Sequence, residues 1–318
     1  MKPNRQAKRY SLFIVLIGLL SISTYAQKDT LVVARDGTGN YRTLTEALDN
    51  IRAYMDYTIV VYIKNGTYKE KVIIPSWLKN VKLVGESKEN VLITYDDHAN
   101  INKMGTFRTY TVRIDGSFIT LENLTIENNA APLGQAVALH TEGNNLLFKN
   151  CGILGNQDTV FTGGEYTRML FEKCYIEGTT DFIFGGATAY FDSCTIHSKK
   201  NSYITAASTP KDVPFGYVFY NCNLTAEENL AVYLGRPWRS YGSTAFIKCN
   251  MEKHIQPQGW HNWNNVENEQ TARYYEGENF GPGSETKDRV QWVQLLNAKE
   301  ILSFSKEKVL GNDSFFRE

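Results

Sequence analysis

The chain has 318 residues, and its 42% apolar and 21% charged residues are typical of a globular protein. This length allows one large domain or two ordinary ones. The 34 basic and 34 acidic residues cancel, but the segment from Met1 to Ala26 contains no acidic residue and four basic ones, Lys2, Arg5, Lys8 and Arg9. The remaining chain therefore carries a small acidic excess, and no basic field favours a nucleic-acid partner.

Residues 1–26 have the pattern of a signal peptide. A basic segment ends at Arg9, an apolar run covers Leu12 to Ile22, and Thr24 and Ala26 are suitable small residues before a cleavage site. A membrane anchor is the alternative, but this run is shorter than the roughly 20 residues that span a bilayer. We predict cleavage after Ala26, export to the periplasm or beyond, no membrane insertion afterwards, and a single domain over residues 27–318.

One amphipathic helix precedes a long series of strands. The segment Thr38 to Ile51 places Leu44, Ala47, Leu48 and Ile51 on one face, and a Thr at position 43 or 45 is a candidate N-cap. Short β-rich runs separated by Gly and Asn then follow: Thr58–Ile63, Lys71–Ile74, Val81–Val84, Val91–Tyr95, Thr111–Ile114 and Phe118–Leu121.

An internal repeat determines the fold class. Five segments share Phe-x-x-Cys, with the cysteines at Cys151, Cys174, Cys194, Cys222 and Cys249, and Leu121 to Leu124 is the same pattern with Leu in both places. Successive units are spaced by roughly 20 to 28 residues, which is in the range of stacked architectures. Because each unit alternates like a strand, we predict an all-β parallel β-helix with a short N-terminal capping helix.

The repeat also accounts for the cysteines. All five occupy the same repeat position, where Cys acts as a small buried apolar residue, although a Cys174–Cys194 disulfide is conceivable in an exported protein. From Asn262 onward the pattern changes to aromatic residues among Gly and polar residues. We predict a C-terminal extension that wraps back along the solenoid, with Val290–Leu296 and a helical Asn297–Phe304 closing the C-terminal end.

Two aspartates occupy equivalent positions in successive repeats. Asp158 and Asp181 each follow their repeat cysteine by the same interval, and Gln135 lies as far before Asp158 as Asp158 lies before Asp181. Since coils stack about 4.8 Å apart, we expect Gln135, Asp158 and Asp181 in one column, with Gln157 nearby. Two close carboxylates divide into one protonated and one ionised group, which suits a general acid and a nucleophile. Turn capping by these aspartates is the alternative explanation.

A third element strengthens the catalytic interpretation. Arg236 follows Asp181 by two long coils, and Trp238 follows it in the segment Tyr233 to Trp238. A guanidinium beside a carboxylate keeps it ionised and oriented, and the indole offers a flat face for a sugar ring. A surface ion pair and a patch under the C-terminal wrap are the structural alternatives for these two residues.

Several ordered motifs resemble those of the pectin methylesterases (pectinesterases, carbohydrate esterase family 8). The resemblance runs from about Val32 to Leu296. The motifs that carry it are Gly39–Leu48, Gly134–Leu139, Gly155–Thr159, Gly178–Gly185, Leu234–Trp238, Gly259–Trp263, Ala272–Glu276 and Gly281–Gly283.

The resemblance implies a right-handed parallel β-helix that removes methyl esters from homogalacturonan, as a monomer and without a metal or cofactor. Asp181 matches the family nucleophile, and Asp158 matches the acid that protonates departing methanol and then activates water. Gln135 and Gln157 match the amides that stabilise the oxyanion, and Arg236 matches the residue that orients the nucleophile. Trp238 matches the stacking aromatic residue, and the positions of Thr111, Phe161 and Phe184 match substrate contacts.

The chain departs from the family pattern at Tyr110, His140 and Val160-Phe161, which affects the expected subsite preference rather than the reaction. Other functions remain open on the residues alone. A lyase would need a calcium-binding carboxylate cluster, and an inverting glycosidase would need a wider carboxyl separation, whereas a retaining glycosidase tolerates a close pair. A non-catalytic carbohydrate-binding β-helix and an esterase acting on a different ester are the remaining alternatives.

Overall fold

The computed structural model describes residues 30–317, so the predicted signal peptide lies outside the described residues. Short strands make up most of this range. In chain order they are β1 (Thr30–Val33), β2 (Ile59–Ile63), β3 (Gly66–Lys69), β4 (Val72–Ile74), β5 (Lys79–Gly85), β6 (Val91–Tyr95), β7 (Val112–Ile114), β8 (Ser117–Glu122), β9 (Thr125–Asn128), β10 (Leu139–Thr141), β11 (Leu146–Lys149), β12 (Gly152–Leu154), β13 (Val160–Thr162), β14 (Arg168–Glu172), β15 (Tyr175–Gly178), β16 (Ile183–Gly185), β17 (Thr188–Asp192), β18 (Thr195–Ser198), β19 (Tyr203–Ala207), β20 (Tyr217–Tyr220), β21 (Asn223–Ala226), β22 (Tyr233–Pro237), β23 (Ser243–Ile247), β24 (Asn250–Met251), β25 (Arg273–Gly277) and β26 (Gln294–Leu295).

The strands form three sheets in which the paired strands are parallel. The 11-stranded sheet has the order β1-β2-β5-β8-β11-β14-β17-β20-β23-β25-β26, the 8-stranded sheet runs from β3 to β24, and the 7-stranded sheet runs from β4 to β22. Neighbouring strands within a sheet are usually three apart along the chain, so each coil contributes one strand to each sheet. This is the predicted parallel β-helix.

A ladder of phenylalanine rings forms the centre of the core. Phe148, Phe171, Phe191, Phe219 and Phe246 are fully buried and lie at paired positions of successive strands. Their ring centroids are 4.3–4.7 Å apart and their planes agree within 10°. The ring separation matches the strand spacing, so aromatic stacking fixes the same register that the backbone hydrogen bonds impose.

The five repeat cysteines form a second buried ladder, and all five are free thiols. Each Sγ lies 3.3–3.5 Å from a backbone carbonyl oxygen of the preceding coil; for Cys174 this is the oxygen of Phe148, and for Cys194 that of Phe171. The prediction of a small buried apolar residue is confirmed, and Cys174 is not bonded to Cys194.

The residue before each repeat cysteine turns the chain from the 11-stranded sheet into the 8-stranded sheet. All five of these residues have a left-handed φ of 50–56°: Asn150, Lys173, Ser193, Asn221 and Lys248. Asn adopts this conformation at lower cost than other non-glycine residues. Lys173 and Lys248 therefore hold a conformation that their side chains do not favour.

The predicted N-terminal helix is present but shorter than the candidate segment Thr38 to Ile51. Helix α1 covers Leu44–Asp49, its N-cap Thr43 accepts a hydrogen bond from the backbone of Glu46, and its buried face packs against β1 and β4. Residues 38–43 are not helical because the backbone N–H of Tyr41 bonds the carbonyl of Val32 and Tyr41 forms a β-bridge with Val33. The capping role and the candidate N-cap Thr43 are confirmed, and the helix occupies only the part of the candidate segment after this cap.

The C-terminal segment contains the other helices. They are α2 (Glu267–Thr271), α3 (Ala298–Ile301) and α4 (Lys306–Leu310), with 3-10 turns at Leu302–Phe304 and Ser314–Arg317. Two further 3-10 turns, Ile101–Lys103 and Thr106–Arg108, lie between β6 and β7. Asn297 and Glu300 form a capping box that starts α3, as the predicted helix over Asn297–Phe304 requires. Within residues 30–317, helices long and apolar enough to cross a membrane are absent.

The C-terminal wrap covers one face of the solenoid. Ile301, Phe304 and Leu310 pack with Leu170, Tyr190 and other residues on the outer face of the 11-stranded sheet. The end of the solenoid is instead closed by a stack of Trp260, Tyr274 and Trp292. The prediction that the chain wraps back is confirmed. The prediction that the helix over Asn297–Phe304 closes the end is wrong, because Ile301 and Phe304 cover apolar side chains on the outer face of the 11-stranded sheet instead.

Candidate active site

The two predicted carboxylates lie side by side at one edge of the 7-stranded sheet. Val160 pairs with Ile183, and each aspartate precedes its paired residue by two positions. The backbone N–H of Asp158 donates to the carbonyl of Thr180, and that of Asp181 donates to the carbonyl of Tyr203. The two aspartates are therefore one coil apart in the same register, as predicted.

Both aspartates have an unusual backbone conformation. Asp158 has φ 63° and Asp181 has φ 48°, in the left-handed region that costs energy for a residue other than glycine. Both are buried, with 9% and 6% of their surface exposed. Strain of this kind concentrates at functional sites, and here it aims two carboxylates at a groove rather than into the core.

That groove has a volume of about 320 Å³. Both predicted glutamines line it together with both aspartates. The lining residues are Thr106, Phe107, Gln135, Gln157, Asp158, Asp181, Phe184, Ala206, Arg236, Trp238 and Trp263. The structure thus brings together seven of the nine predicted site residues on this one surface.

Gln135 lines the groove, but from a different position in the coil than predicted. Leu139 pairs with Val160, but the backbone N–H of Ala136 donates to the carbonyl of Gln157, so Ala136 is the residue beside Asp158 and Gln135 lies one position earlier. The interval between Gln135 and Asp158 is therefore not one coil on this sheet, and the prediction of a shared column is wrong. Gln135 enters from the loop before β10, where its carbonyl accepts from the backbone of Ala99.

Arg236 makes a bidentate ion pair with Asp181. Its Nε lies 3.0 Å from Oδ1 and its Nη2 lies 2.7 Å from Oδ2. Arg236 pairs along the sheet with Ala206, which pairs with Phe184, so it stands two coils from Asp181 and three positions further along the strand. Its side chain spans this offset, and the fork geometry fixes the plane of the carboxylate.

Two aromatic rings hold the guanidinium of Arg236. Its Cζ lies 3.9 Å from the ring centroid of Tyr203 and 3.7 Å from that of Trp263. Two rings at this distance cannot share one face of a guanidinium, so the group lies between them. Neither Tyr203 nor Trp263 was given a role from the sequence, although Trp263 lies in one of the motifs.

The two carboxyl groups differ in their electrostatic surroundings. Burial, followed by the neighbouring Asp181 charge, raises the pKa of Asp158 from 3.8 to about 8, against an opposing effect of Arg236. Burial also raises the pKa of Asp181, but the hydrogen bonds and the charge of Arg236 oppose the rise. Asp158 therefore holds a proton at neutral pH, whereas Asp181 faces a fixed cation that favours its ionised form.

Aromatic side chains continue the groove beside the carboxylates. Phe161 and Phe184 have ring centroids 4.8 Å apart, and Phe184 and Trp238 have centroids 5.8 Å apart. Phe161 also contacts Phe107 at 4.8 Å. This places Phe161, Phe184 and Trp238 in one apolar strip beside the carboxylates, and Phe107 is a groove residue that sequence reasoning missed.

The structure does not support a direct substrate contact by Thr111. Its side chain is fully buried, and its Oγ1 donates to the backbone carbonyl of Glu127 at 2.8 Å. This prediction is wrong because the residue turns inward at the start of β7. Thr106 and Phe107, in the 3-10 turn just before it, line the groove instead.

The sequence resemblance implies a reaction without a metal ion. Among residues 30–317, groups of three or more His, Cys, Asp or Glu side chains arranged to hold a metal ion are not found.

Known structures share this fold. Pectin methylesterase from carrot superimposes with a TM-score of 0.86 at 29% identity, covering 90% of this chain and 94% of that chain. The pectin methylesterase of Aspergillus niger in deglycosylated form gives 0.81 at 29% identity, covering 92% and 96%. Pectin methylesterase from Erwinia chrysanthemi gives 0.77 at 26% identity, covering 90% and 97%.

Curated relatives give the same assignment. Pectinesterase 31 of Arabidopsis thaliana is 35% identical over 284 residues, which are 86% of this chain and 89% of that protein. The chain spans about half the length of other relatives, such as 53% of probable pectinesterase/pectinesterase inhibitor 23 of the same plant, at 33% identity over 91% of this chain. The pectinesterase family model matches residues 30–313. The chain therefore belongs to the pectinesterase family.

Proposed function

We propose that the protein hydrolyses the methyl esters of galacturonate units in pectin, releasing methanol and leaving free carboxylates. The observation that carries this proposal is the arrangement of Asp158, Asp181 and Arg236 in one groove. It provides one proton-bearing carboxyl group beside one carboxylate held by a guanidinium. That pair matches the needs of ester cleavage through an acyl-enzyme.

Asp181 is the proposed nucleophile. Its Oδ attacks the C6 carbonyl carbon of the methyl ester, and the carbonyl electron pair moves onto oxygen to give a tetrahedral oxyanion. The bidentate bond from Arg236 fixes the direction of attack. The side-chain amides of Gln135 and Gln157 both line the groove and supply neutral N–H donors for the oxyanion.

Asp158 is the proposed acid and then base. When the tetrahedral intermediate collapses, the C–O bond to the methoxy group breaks and the Asp158 proton passes to the leaving oxygen, giving methanol. The product is an anhydride between Asp181 and the galacturonate. The ionised Asp158 then takes a proton from water, which attacks this anhydride and restores both carboxyl groups. The raised pKa of Asp158, about 8, supports its role as proton donor at neutral pH.

The aromatic strip is the proposed sugar-binding surface. Trp238 and Phe184 lie beside the carboxylates, and Phe161 and Phe107 extend the strip by a further coil. Apolar ring faces stack on the hydrophobic face of a pyranose, and the strip follows the direction in which coils are added. This suits an extended polysaccharide rather than a small ester.

The decisive experiment compares methanol release from highly methylated pectin by the wild type, Asp181→Ala and Asp192→Ala. Asp192 is a partly exposed aspartate on β17 and serves as the matched control. We expect Asp181→Ala to lose methanol release while circular dichroism shows an intact β-helix, and Asp192→Ala to retain activity. Retained activity in Asp181→Ala would reject the mechanism.

A polygalacturonate substrate tests the alternative polymer chemistries in the same assay. An esterase leaves the chain length unchanged, whereas a glycosidase or a lyase shortens it. We expect no new reducing ends and no unsaturated product. We also expect a chelator to leave the methanol rate unchanged, because the proposed steps use only side chains of this chain.

The proposal includes export and action as a monomer. Export is supported by the basic and apolar pattern of residues 1–26, and the periplasm and the medium are both compatible with it. Mass spectrometry of the protein from fractionated cells would give the mature N-terminus and the compartment. A mass that includes the segment from Met1 to Ala26 would reject cleavage after Ala26, and sedimentation of the same sample gives the oligomeric state.

A further inference from the structure

The guanidinium of Arg236 contacts the rings of Tyr203 and Trp263, which we call the aromatic clamp. Tyr203 lies on β19 within the solenoid, and its ring stacks on that of Tyr233 at 5.3 Å. Trp263 lies in the C-terminal wrap, outside any strand, and half-buried. One side of the clamp therefore belongs to the sheet, whereas the other is held by a loop.

The backbone of this loop has two consecutive left-handed residues. Trp263 has φ 60° and Asn264 has φ 56°, a conformation that local hydrogen bonds must maintain. The backbone N–H of Trp263 donates to Nδ1 of His261 at 3.0 Å. The backbone N–H of His261 donates to the carbonyl of Gly235, the neighbour of Arg236. His261 thus connects Trp263 to the strand that carries the arginine.

The imidazole of His261 also contacts the other side of the clamp. Its ring centroid lies 5.3 Å from that of Tyr203 and 5.4 Å from that of Tyr233. One side chain therefore touches Tyr203 and bonds Trp263, while remaining absent from the groove lining. We propose that His261 is a positioning residue, which holds the aromatic clamp closed on Arg236 and thereby keeps Asp181 oriented for attack.

The proposal requires one protonation state of His261. Because Nδ1 accepts the Trp263 N–H, the ring proton must lie on Nε2. A second proton on Nδ1 would face the Trp263 N–H donor and break the bond. The titratable and charged groups that face the ring are Tyr203, Tyr233 and Arg236 on the strands. In the loop itself, the carboxylate of Glu269 accepts from the neighbouring Asn262. Burial, and then the charge of Arg236, lower the pKa of His261, which favours the neutral form.

Two substitutions separate this role from a merely structural one. His261→Asn keeps an acceptor that can bond the backbone N–H two residues on, in the manner of an Asx-turn, but it does not titrate. His261→Ala removes the acceptor. His197→Asn is the control, because His197 lies on β18 in the 8-stranded sheet and bonds Thr225.

The first measurement does not depend on activity. Protein labelled with ¹⁵N-tryptophan has five tryptophans, and Trp263→Phe assigns the resonance of the Trp263 backbone amide. We expect its shift to titrate with pH in the wild type and in His197→Asn but not in His261→Asn. We expect its hydrogen exchange to be at least tenfold faster in His261→Ala. An amide that is equally protected in His261→Ala would overturn the proposal.

The second measurement rests on the proposed esterase function and follows methanol release. We expect His261→Ala to lose about tenfold in kcat/KM, a loss comparable to one hydrogen bond of about 1.4 kcal/mol. His261→Asn should stay within about threefold at pH 7 and show a less steep loss of rate on the acid side. Equal activity in His261→Ala, or equal loss in both variants, contradicts the proposal. A wild type without methanol release would refute the esterase function, and the amide measurement would still decide the role of His261 in the clamp.

Discussion

Replacing Asp158 with Asn should make the folded protein more stable and inactive at the same time. The carboxyl group titrates with a pKa of about 8 in the folded state against 3.8 as the reference value. Between these values the folded state holds a proton that the unfolded state has released, so stability falls as pH rises through this window. At pH 7, which lies about three units above the reference pKa, this titration lowers the free energy of unfolding by about 4 kcal/mol, at about 1.4 kcal/mol per unit.

Asp158→Asn removes this titration but keeps a neutral polar side chain of the same shape. Some desolvation cost persists for the amide, so we expect a gain of about 2–4 kcal/mol at pH 7 and less than about 1 kcal/mol at pH 4.5. The assay is urea unfolding at several pH values, read by tryptophan fluorescence. Methanol release should fall by at least about a hundredfold, because the Asn cannot donate or accept the catalytic proton.

The informative quantity is how the gain in the free energy of unfolding of Asp158→Asn changes with pH. Asp96→Asn is the control, since Asp96 is half-exposed and pairs with Lys69 at the surface. An exposed pair contributes at most about 1 kcal/mol, and this substitution should show no comparable slope with pH. A gain for Asp158→Asn that is absent, or that is the same at pH 4.5 and pH 7, would show that the carboxyl group is not held protonated by its surroundings.

Three further outcomes are expected. In the wild type, methanol release should decline above about pH 8 as Asp158, whose pKa is raised to about 8, loses its proton, and a rate still rising at pH 9 would contradict this assignment. Lys173→Asn should raise the free energy of unfolding by about 0.5–1 kcal/mol, because Lys173 is exposed with φ 53°, and an unchanged urea midpoint would count against that reasoning. Phe191→Ala should lower the free energy of unfolding by about 3–5 kcal/mol by opening the ring ladder, compared with less than about 0.5 kcal/mol for the exposed Phe280→Ala.

The sequence predicted the parts of the site that share the repeat. Asp158 and Asp181 follow their cysteines by the same interval, and the two cysteines occupy equivalent places in the core, so the register of the aspartates follows directly. The same reasoning failed for Gln135. The length of a coil depends on all three of its loops. The coil from β10 to β13 is shorter than the interval assumed, which leaves Ala136 rather than Gln135 beside Asp158.

Residues outside the repeat could not be placed by counting. Trp263 and His261 lie after Cys249, the last repeat cysteine, so the repeat assigns them no register. Their role depends on a loop that folds back onto β22 through the bond from His261 to Gly235. Strand β3 was also missed, since Gly66 to Lys69 has little of the β-branched character that marked its neighbours.

The phenylalanine ladder has a consequence for how such a protein can change over evolutionary time. The chain from Phe191 to Phe219 is longer than the chain from Phe171 to Phe191, yet the ring separations of these two pairs are 4.3 and 4.7 Å. Most of the additional length lies in the segment 208–216, between β19 and β20. Insertions at such corners leave the stacking intact, so a corner loop can lengthen or shorten without shifting the strands whose register sets the two carboxylates side by side. The surface loops and the core register can therefore evolve independently on this scaffold.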